Sequence, residues 1–181
     1  QPGAGTVTAA LAHGEQVAAS LAVAADGRLS PARDAAGIRT LDRRHPQAAL
    51  VLNFGHSRPH GDCSTEFHTE SGPFTQVPLP GMRSSLVWVL PPARAEDYAP
   101  RSDAELSRLV EERMGSMLGR VSVDTRPQVY PLATRVPERF AKDRVALVGE
   151  AAHVFPPIGA QGLNLGLRDV ADLVETAQRF H

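Results

Sequence analysis

The sequence predicts a mixed fold, α+β in its middle and α/β at its end. Three observations lead to this prediction. Short apolar runs, spaced closely enough for antiparallel hairpins, fill most of the first half of the chain. An amphipathic helix with a capping signal follows them. A continuous apolar strand then leads through a loop rich in Pro and Gly into a final helix, which is the element order of an α/β unit.

Composition excludes several classes of function. The 181 residues are 42% hydrophobic and 22% charged, as in a globular chain, and the net charge of −1 provides no positive field for nucleic acid or anionic lipid. Aromatic residues make up only 5%, so few rings could stack on single-stranded bases. No apolar run is long enough to span a bilayer. The one cysteine, Cys63, excludes an internal disulfide and a thiolate zinc cluster. It fits a reducing compartment, which we expect to be the cytoplasm.

The first third of the chain alternates strand and turn signals. Residues 7–13 and 16–25 predict two strands joined by a tight turn. Ser30 is a candidate N-cap for a short helix over 31–36, because Pro follows it at the first helical position. Residues 47–54 predict a further strand, whereas the polar stretch after it has no readable periodicity.

The middle of the chain predicts a hairpin and a helix. Residues 74–79 and 84–90 have the pattern of paired strands that turn at a Pro-Gly step. Ser102 and Glu105 form a capping box, since a serine is followed three residues later by a glutamate. The helix that begins there is expected to end at Gly119.

The last third contains the residues that are most informative about chemistry. One or two strands are expected over 121–132. A buried strand over 144–149 ends in Gly149, Glu150 follows, and a loop then leads into a helix that begins near Gly162. Strand carboxyl ends and helix N-termini are where α/β proteins hold anionic or dipolar ligands, because free N–H groups point outward there. The spacing of the glycines alone fits an alternative equally well: a strand, turn and helix that bind no ligand, in which each Gly only ends an element. The final helix carries an apolar stripe: Leu163, Leu167, Val170, Val174 and Ala177.

These residues resemble the second flavin-binding motif of the class A flavoprotein aromatic hydroxylases, the para-hydroxybenzoate hydroxylase-like family. The family pattern is Gly-Asp-Ala-Ala-His, a loop with Pro and Gly, an Asn, and a helix with Asp. Asn164 and Asp169 stand where the pattern requires them, whereas Glu150 stands where the family has Asp. The resemblance implies that Glu150 holds the ribityl chain of FAD.

A second stretch, Asp26-Gly27-Arg-Leu-Ser30-Pro-Ala-Arg33, resembles the Asp-Gly motif of the same family. In the family this motif lies near the dinucleotide pyrophosphate. Taken alone, Asp26-Gly27 could equally form a plain turn. Together the two resemblances imply these FAD-binding residues: Asp26, Gly27, Arg33, Gly149, Glu150, Pro157, Gly159, Gln161, Gly162, Leu163 and Asn164.

A third stretch, residues 78–88, resembles the substrate-domain hairpin of the ubiquinone-biosynthesis hydroxylases. The family fold then implies three segments. Residues 1–40 would be part of a FAD-binding, Rossmann-like domain, and 41–135 an antiparallel substrate-binding sheet with helices. Residues 136–181 would supply the strand, loop and helix of the second FAD motif.

The activity that the resemblance implies is FAD-dependent hydroxylation of a polyprenylated phenol in ubiquinone biosynthesis. NAD(P)H is the expected reductant in most of the family. His153 is the one candidate for a catalytic base, and a histidine that only caps a nearby carbonyl is the alternative. Expected partners are the phenol and either a second copy of the chain or a biosynthetic complex, with no nucleic acid. Peripheral association with an inner membrane is left open.

Three alternatives remain at this point. The family opens with a Gly-x-Gly-x-x-Gly unit that holds FAD, and these 181 residues contain no such motif. We therefore expect a truncated hydroxylase that is inactive by itself, with an inert fragment or assembly module of the same fold as the alternative. Residues 56–68 crowd His, Asp, Cys and Glu together, but their spacing matches no metal-ligand pattern, so we expect no metal. A reductase or halogenase of the same fold is the third alternative, and the Trp-x-Trp-x-Ile segment that halogenases of this superfamily carry is not found.

Overall fold

The computed structural model describes residues 5–179, which form two units. Residues 5–44 and 133–179 make the first unit, and His45–Leu132 makes the second. The strands are β1 (Val7–Ala10), β2 (Gln16–Ala19), β3 (Ala22–Ala24), β4 (Thr40–His56), β5 (Thr65–Thr69), β6 (Gly72–Leu79), β7 (Arg83–Leu90), β8 (Val121–Val123), β9 (Gln128–Pro137), β10 (Ala141–Lys142) and β11 (Val145–Leu147). The helices are α1 (Pro31–Ala35), α2 (Pro92–Tyr98), α3 (Asp103–Arg113) and α4 (Gly162–Arg179), with 3₁₀ turns at Gly149–Ala151 and Ile158–Ala160.

The second unit is built on an antiparallel sheet in the order β5-β6-β7-β4-β8. The predicted hairpin is confirmed: β6 and β7 pair from Leu79 and Arg83 at the turn to Phe74 opposite Trp88. Alternate residues of β4 and β7 face α3 and form the main core with its Leu106 and Val110. The capping box is confirmed as well, but α3 ends at Arg113, before the predicted Gly119, because the backbone turns at Met114 and Gly115 has φ +58°.

The second unit also contains elements that the sequence did not predict. Strand β5 lies inside the polar stretch that follows β4. The hydrophobic pattern of this stretch did not predict a strand, and β5 forms because it pairs with β6. Helix α2 spans only seven residues and starts at a Pro-Pro step. Strand β4 begins seven residues before the predicted Gln47, at Thr40.

The first unit contains a small mixed sheet in the order β10-β11-β3, in which β11 and β3 run parallel. Every residue of β11 is buried, as predicted for this apolar run. The prediction of one strand over 16–25 is wrong, because the segment divides into two strands with different partners. Strand β2 pairs with β1, whereas β3 pairs with β11, and no single straight strand can join both sheets.

The final helix is confirmed as α4, although its apolar stripe is not covered within the described residues. No residue of α4 in that part of the chain is buried. Leu163, Leu167, Val170 and Val174 are between 47% and 75% exposed. None of the helices over residues 5–179 is both long and apolar enough to cross a membrane.

Candidate functional site

The Asp-Gly motif forms a tight loop that leads into α1. Gly27 has φ +85°, a conformation that favours glycine, and its carbonyl accepts from Ser30 N–H at 3.0 Å. The predicted cap is confirmed, since Ser30 Oγ accepts from the Arg33 N–H at 3.0 Å. Asp26 Oδ2 accepts from the Ala32 N–H, also at 3.0 Å. Burial raises the pKa of Asp26, but hydrogen bonds from Ser30 and Ala32 outweigh it and hold the pKa below 3.8.

The second motif begins where β11 ends. Gly149 has φ +61° and starts the 3₁₀ turn, and its carbonyl accepts from the N–H groups of Ala152 and His153 at 2.9 Å. This turn leaves the side chain of Glu150 on the surface, 57% exposed. A carboxylate in that position is accessible to the hydroxyl groups of a ligand.

The two motifs, more than one hundred residues apart in sequence, lie side by side in the first unit. Arg33 joins them, because its Nη1 donates to the Ala151 carbonyl at 3.1 Å and to the Arg28 carbonyl at 3.3 Å. Arg28 in turn lies 3.6 Å from Glu150, measured from Nε to Oε2. Arg33 is only 3% exposed, so it supports both loops from within. Its direct contact with FAD stays a prediction.

Arg135 on β9 is a second joining residue, and no sequence signal pointed to it. It makes paired hydrogen bonds to Asp42 at 2.9 and 2.6 Å, and its Nη1 donates to the Arg28 carbonyl at 2.7 Å. Its backbone forms a bridge with Val154, which directly follows His153 in the second motif. Arg135 therefore contacts both motif loops from the strand beside them.

The Asp42–Arg135 pair predicts an acid-sensitive contribution to stability. The hydrogen bond from Arg135 holds the pKa of Asp42 below 3.8, so the pair stabilises the fold above about pH 4, and this contribution is lost as the pH falls through the folded pKa. Because the Asp42 side chain is 46% exposed, we expect at most about 1 kcal/mol. In urea denaturation, Asp42→Asn should be less stable than wild type at about pH 7, and this deficit should shrink towards about pH 2. A deficit of constant size across that range would contradict the assignment.

The start of α4 presents backbone N–H groups next to the second motif. The hydrogen bond from Leu165 N–H to the Gln161 carbonyl opens the helix at 2.9 Å, and a helix start leaves the preceding N–H groups without intrahelical partners. A Cβ added at Gly162 would meet nothing within 4 Å, so the space beside it is open. The remaining predicted residues of this segment, Pro157, Gly159, Gln161, Leu163 and Asn164, are all exposed. The helix dipole favours negative charge here.

His153 is turned towards α4. Its Nε2 donates to Asp169 Oδ2 at 2.7 Å, and its ring stacks on Phe155 with centroids 5.5 Å apart. The side chain is only 8% exposed. These contacts hold the imidazole in place with Nε2 bonded to Asp169, and its role as a base stays a prediction.

The crowded polar stretch after β4 uses its histidines in other ways. His56 Nδ1 donates to the Arg58 carbonyl and its Nε2 shares a hydrogen bond with the Ser84 hydroxyl, while His60 Nε2 donates to the Leu79 carbonyl. Cys63 is exposed. Within residues 5–179 no three His, Cys, Asp or Glu side chains are placed to share a metal ion.

The chemistry of the first unit fits a flavin dinucleotide. The exposed Glu150 carboxylate can accept from sugar-type hydroxyls, and the N–H groups at the start of α4 can face negative charge. Open space beside Gly149 and Gly162 lets a flat group approach the backbone, since a Cβ at either position would meet nothing within 4 Å. Two of the positions implied by the resemblance, Asp26 and Arg33, instead use their polar atoms on the protein's own backbone.

Comparison with known proteins gives the same picture. Ubiquinone hydroxylase UbiL of Rhodospirillum rubrum is 42% identical to this chain over 181 residues, covering 96% of the chain and 41% of the relative. The 3-demethoxyubiquinol 3-hydroxylase of Escherichia coli is 33% identical over 165 residues, covering 91% and 42%. The solved complex of aklavinone-11 hydroxylase with FAD and aklavinone superposes with a TM-score of 0.71 at 24% identity, covering 97% of this chain and 33% of that one.

The chain thus spans about two fifths of the length of the curated relatives it matches. The structural likeness confirms the predicted fold, that of FAD-dependent aromatic hydroxylases. The profile of the FAD binding domain family matches residues 3–176, nearly the whole chain. The chain therefore belongs to the FAD binding domain family.

Proposed function

We propose that this chain supplies the Asp-Gly motif, the substrate-domain sheet and the second flavin motif of a hydroxylase that acts on a polyprenylated phenol in ubiquinone biosynthesis. One observation carries the proposal: Arg33 donates hydrogen bonds to backbone carbonyls in both motifs. Two segments that lie far apart in the sequence are thereby held next to each other. The similarity to UbiL and to the E. coli hydroxylase supports the substrate class.

The residues of this chain would bind and orient the cofactor. When bound, FAD supplies the redox and oxygen chemistry of hydroxylation. Glu150 would accept hydrogen bonds from the ribityl hydroxyls, and the N–H groups at the start of α4 would stabilise negative charge on the ring. Arg33 and Arg135 would hold the two motif loops in position through their hydrogen bonds to the backbone carbonyls of Ala151 and Arg28.

The finer parts of the proposal concern the reductant and the partners. NAD(P)H would reduce the flavin, as in most of the family. A polyprenylated substrate partitions into membranes, so the protein would work at the surface of an inner membrane, as a homo-oligomer or within a biosynthetic complex. Reduction of the flavin by NADPH or NADH in stopped flow tests the reductant, and vesicle co-sedimentation tests the membrane contact.

The carboxylate at 150 provides the mutational test. In the complete gene product, Glu150→Gln should weaken FAD binding about tenfold, because an amide accepts hydroxyl hydrogen bonds less strongly than a carboxylate. The loss of its exposed ion pair with Arg28 contributes little. Quenching of flavin fluorescence measures the dissociation constant.

Glu138→Gln is the matched control for this substitution. Glu138 lies in the same unit and makes an exposed ion pair with Arg39, so its FAD affinity should equal that of wild type. Glu150→Asp restores the residue that the family has and should retain most of the affinity. Equal affinity in Glu150→Gln and Glu138→Gln would contradict the role of Glu150.

The exposed stripe on α4 favours a second candidate function, an assembly module without catalysis. Four large apolar side chains point away from the described part of the unit, as at a surface that another protein covers. Under this alternative the complete gene product would purify without flavin and as a stable oligomer. Absorbance at the flavin bands together with light scattering separates the two functions.

A further inference from the structure

A hydrogen-bonded junction joins the loop after β11 to α4. Asp169 Oδ2 accepts from the Gly149 N–H at 2.8 Å and from His153 Nε2 at 2.7 Å. Both side chains are largely withdrawn from solvent, with 8% of His153 and 19% of Asp169 exposed. Because a carboxylate can only accept, Nε2 of His153 carries the proton.

This junction holds a helix that has no buried residue in the described part of the chain. The helix lies directly against the loop, since a Cβ at Gly166 would be in van der Waals contact with the Gly149 Cα at 3.4 Å. The His153 ring is also held by its neighbours. Phe155 stacks on it, and Phe140 meets it edge-on with centroids 6.4 Å apart. Ring packing and hydrogen bonding thus fix the same imidazole.

We propose that His153 and Asp169 are positioning residues for the flavin. The pair fixes the first turns of α4 against Gly149, and it thereby sets the direction in which the helix-start N–H groups and the Glu150 carboxylate face the cofactor. This inference rests on the proposed function, because the direction matters to catalysis only if FAD binds at this surface. Neither residue needs to touch the substrate in this role.

Four substitutions separate positioning from simple stability. Asp169→Asn keeps the shape but replaces the charged acceptor with a neutral amide oxygen, which accepts both hydrogen bonds more weakly. His153→Phe keeps the ring between its aromatic neighbours and removes the N–H donor. His153→Gln keeps a donor and removes the ring. Asp172→Asn is the control, because it makes the same charge change at an exposed position of the same helix.

The first measurement is amide hydrogen exchange at Gly149, which needs no cofactor. Replacing a charged acceptor with a neutral one removes about half of the strength of the hydrogen bond, which corresponds to a change of about tenfold in exchange rate. We expect Asp169→Asn to accelerate exchange at Gly149 by that factor and Asp172→Asn to leave it unchanged. Unchanged exchange in Asp169→Asn would overturn the junction itself.

The second measurement is FAD affinity, with the visible circular dichroism of the bound flavin, in the complete gene product. Asp169→Asn and His153→Phe should bind FAD about tenfold more weakly and change the dichroism, whereas His153→Gln should recover most of both signals. If wild type binds FAD and the variants match it in affinity and dichroism, the positioning role is wrong and the proposed function stands. If wild type binds no FAD, the proposed function fails, and the positioning role fails with it.

Discussion

Replacing Arg33 with Met should destabilise the first unit by about 3 kcal/mol and abolish tight FAD binding. The guanidinium is 3% exposed and donates to the carbonyls of Ala151 and Arg28. Methionine preserves most of the buried aliphatic volume but removes the donor to the Ala151 carbonyl and leaves the Arg28 carbonyl to Arg135 alone. The loops that carry Asp26 and Glu150 then lose the only buried side chain that donates to both of them in the described part of the unit, so the proposed site should loosen even though Arg135 still contacts both loops.

Arg39→Met is the matched control for this experiment. Arg39 is 82% exposed and pairs with Glu138 on the surface, so its removal should cost less than about 1 kcal/mol. Urea denaturation gives the free energy of unfolding, and flavin fluorescence gives the affinity. If Arg33→Met and Arg39→Met lost equal stability and both retained FAD, the two motifs would not depend on Arg33.

Replacing Gly162 with Val should weaken FAD binding by at least about tenfold while leaving the fold intact. A Cβ at this position would meet no atom of another part of the protein within 4 Å, so the side chain starts into open space. A β-branched residue at a helix start changes stability by less than about 1 kcal/mol. Any large loss of affinity therefore comes from a steric clash between the valine side chain and the flavin ring, which would lie next to this backbone.

Gly162→Ala is the intermediate member of this series. Its single methyl group should reduce affinity less than valine does, and the unfolding curves of all three proteins should overlap. A graded loss of FAD affinity at constant stability is the expected pattern. Normal affinity and a normal flavin spectrum in Gly162→Val would place the flavin elsewhere.

Local signals predicted much of this fold because they report on neighbouring residues. Ser30 caps α1 and Ser102 forms its capping box with Glu105 as the sequence indicated, since each cap involves residues three apart. The paired runs of β6 and β7 predicted their hairpin. The continuous apolar run before Gly149 predicted a strand buried on both faces. The two flavin motifs were likewise visible because each is compact in sequence.

The remaining features depend on partners that are distant in sequence. Nothing near Arg135 indicates that it bonds to Asp42, 93 positions earlier. The break between β2 and β3 follows from the pairing of β3 with β11, which a local strand pattern cannot reveal. Asp169 matched the family pattern, but its acceptance of hydrogen bonds from both Gly149 and His153 emerges only when the helix and the loop are placed together.

The central claim is that the Asp-Gly motif and the second motif form one FAD-binding surface. The most direct test is a flavin fluorescence titration of the complete gene product and of its Arg33→Met variant. We predict saturable binding of one FAD by wild type and loss of that binding in the variant, in which Ala151 and Arg28 lose their common donor. Failure of the wild-type protein to bind FAD, or equal binding by the variant, would contradict the claim.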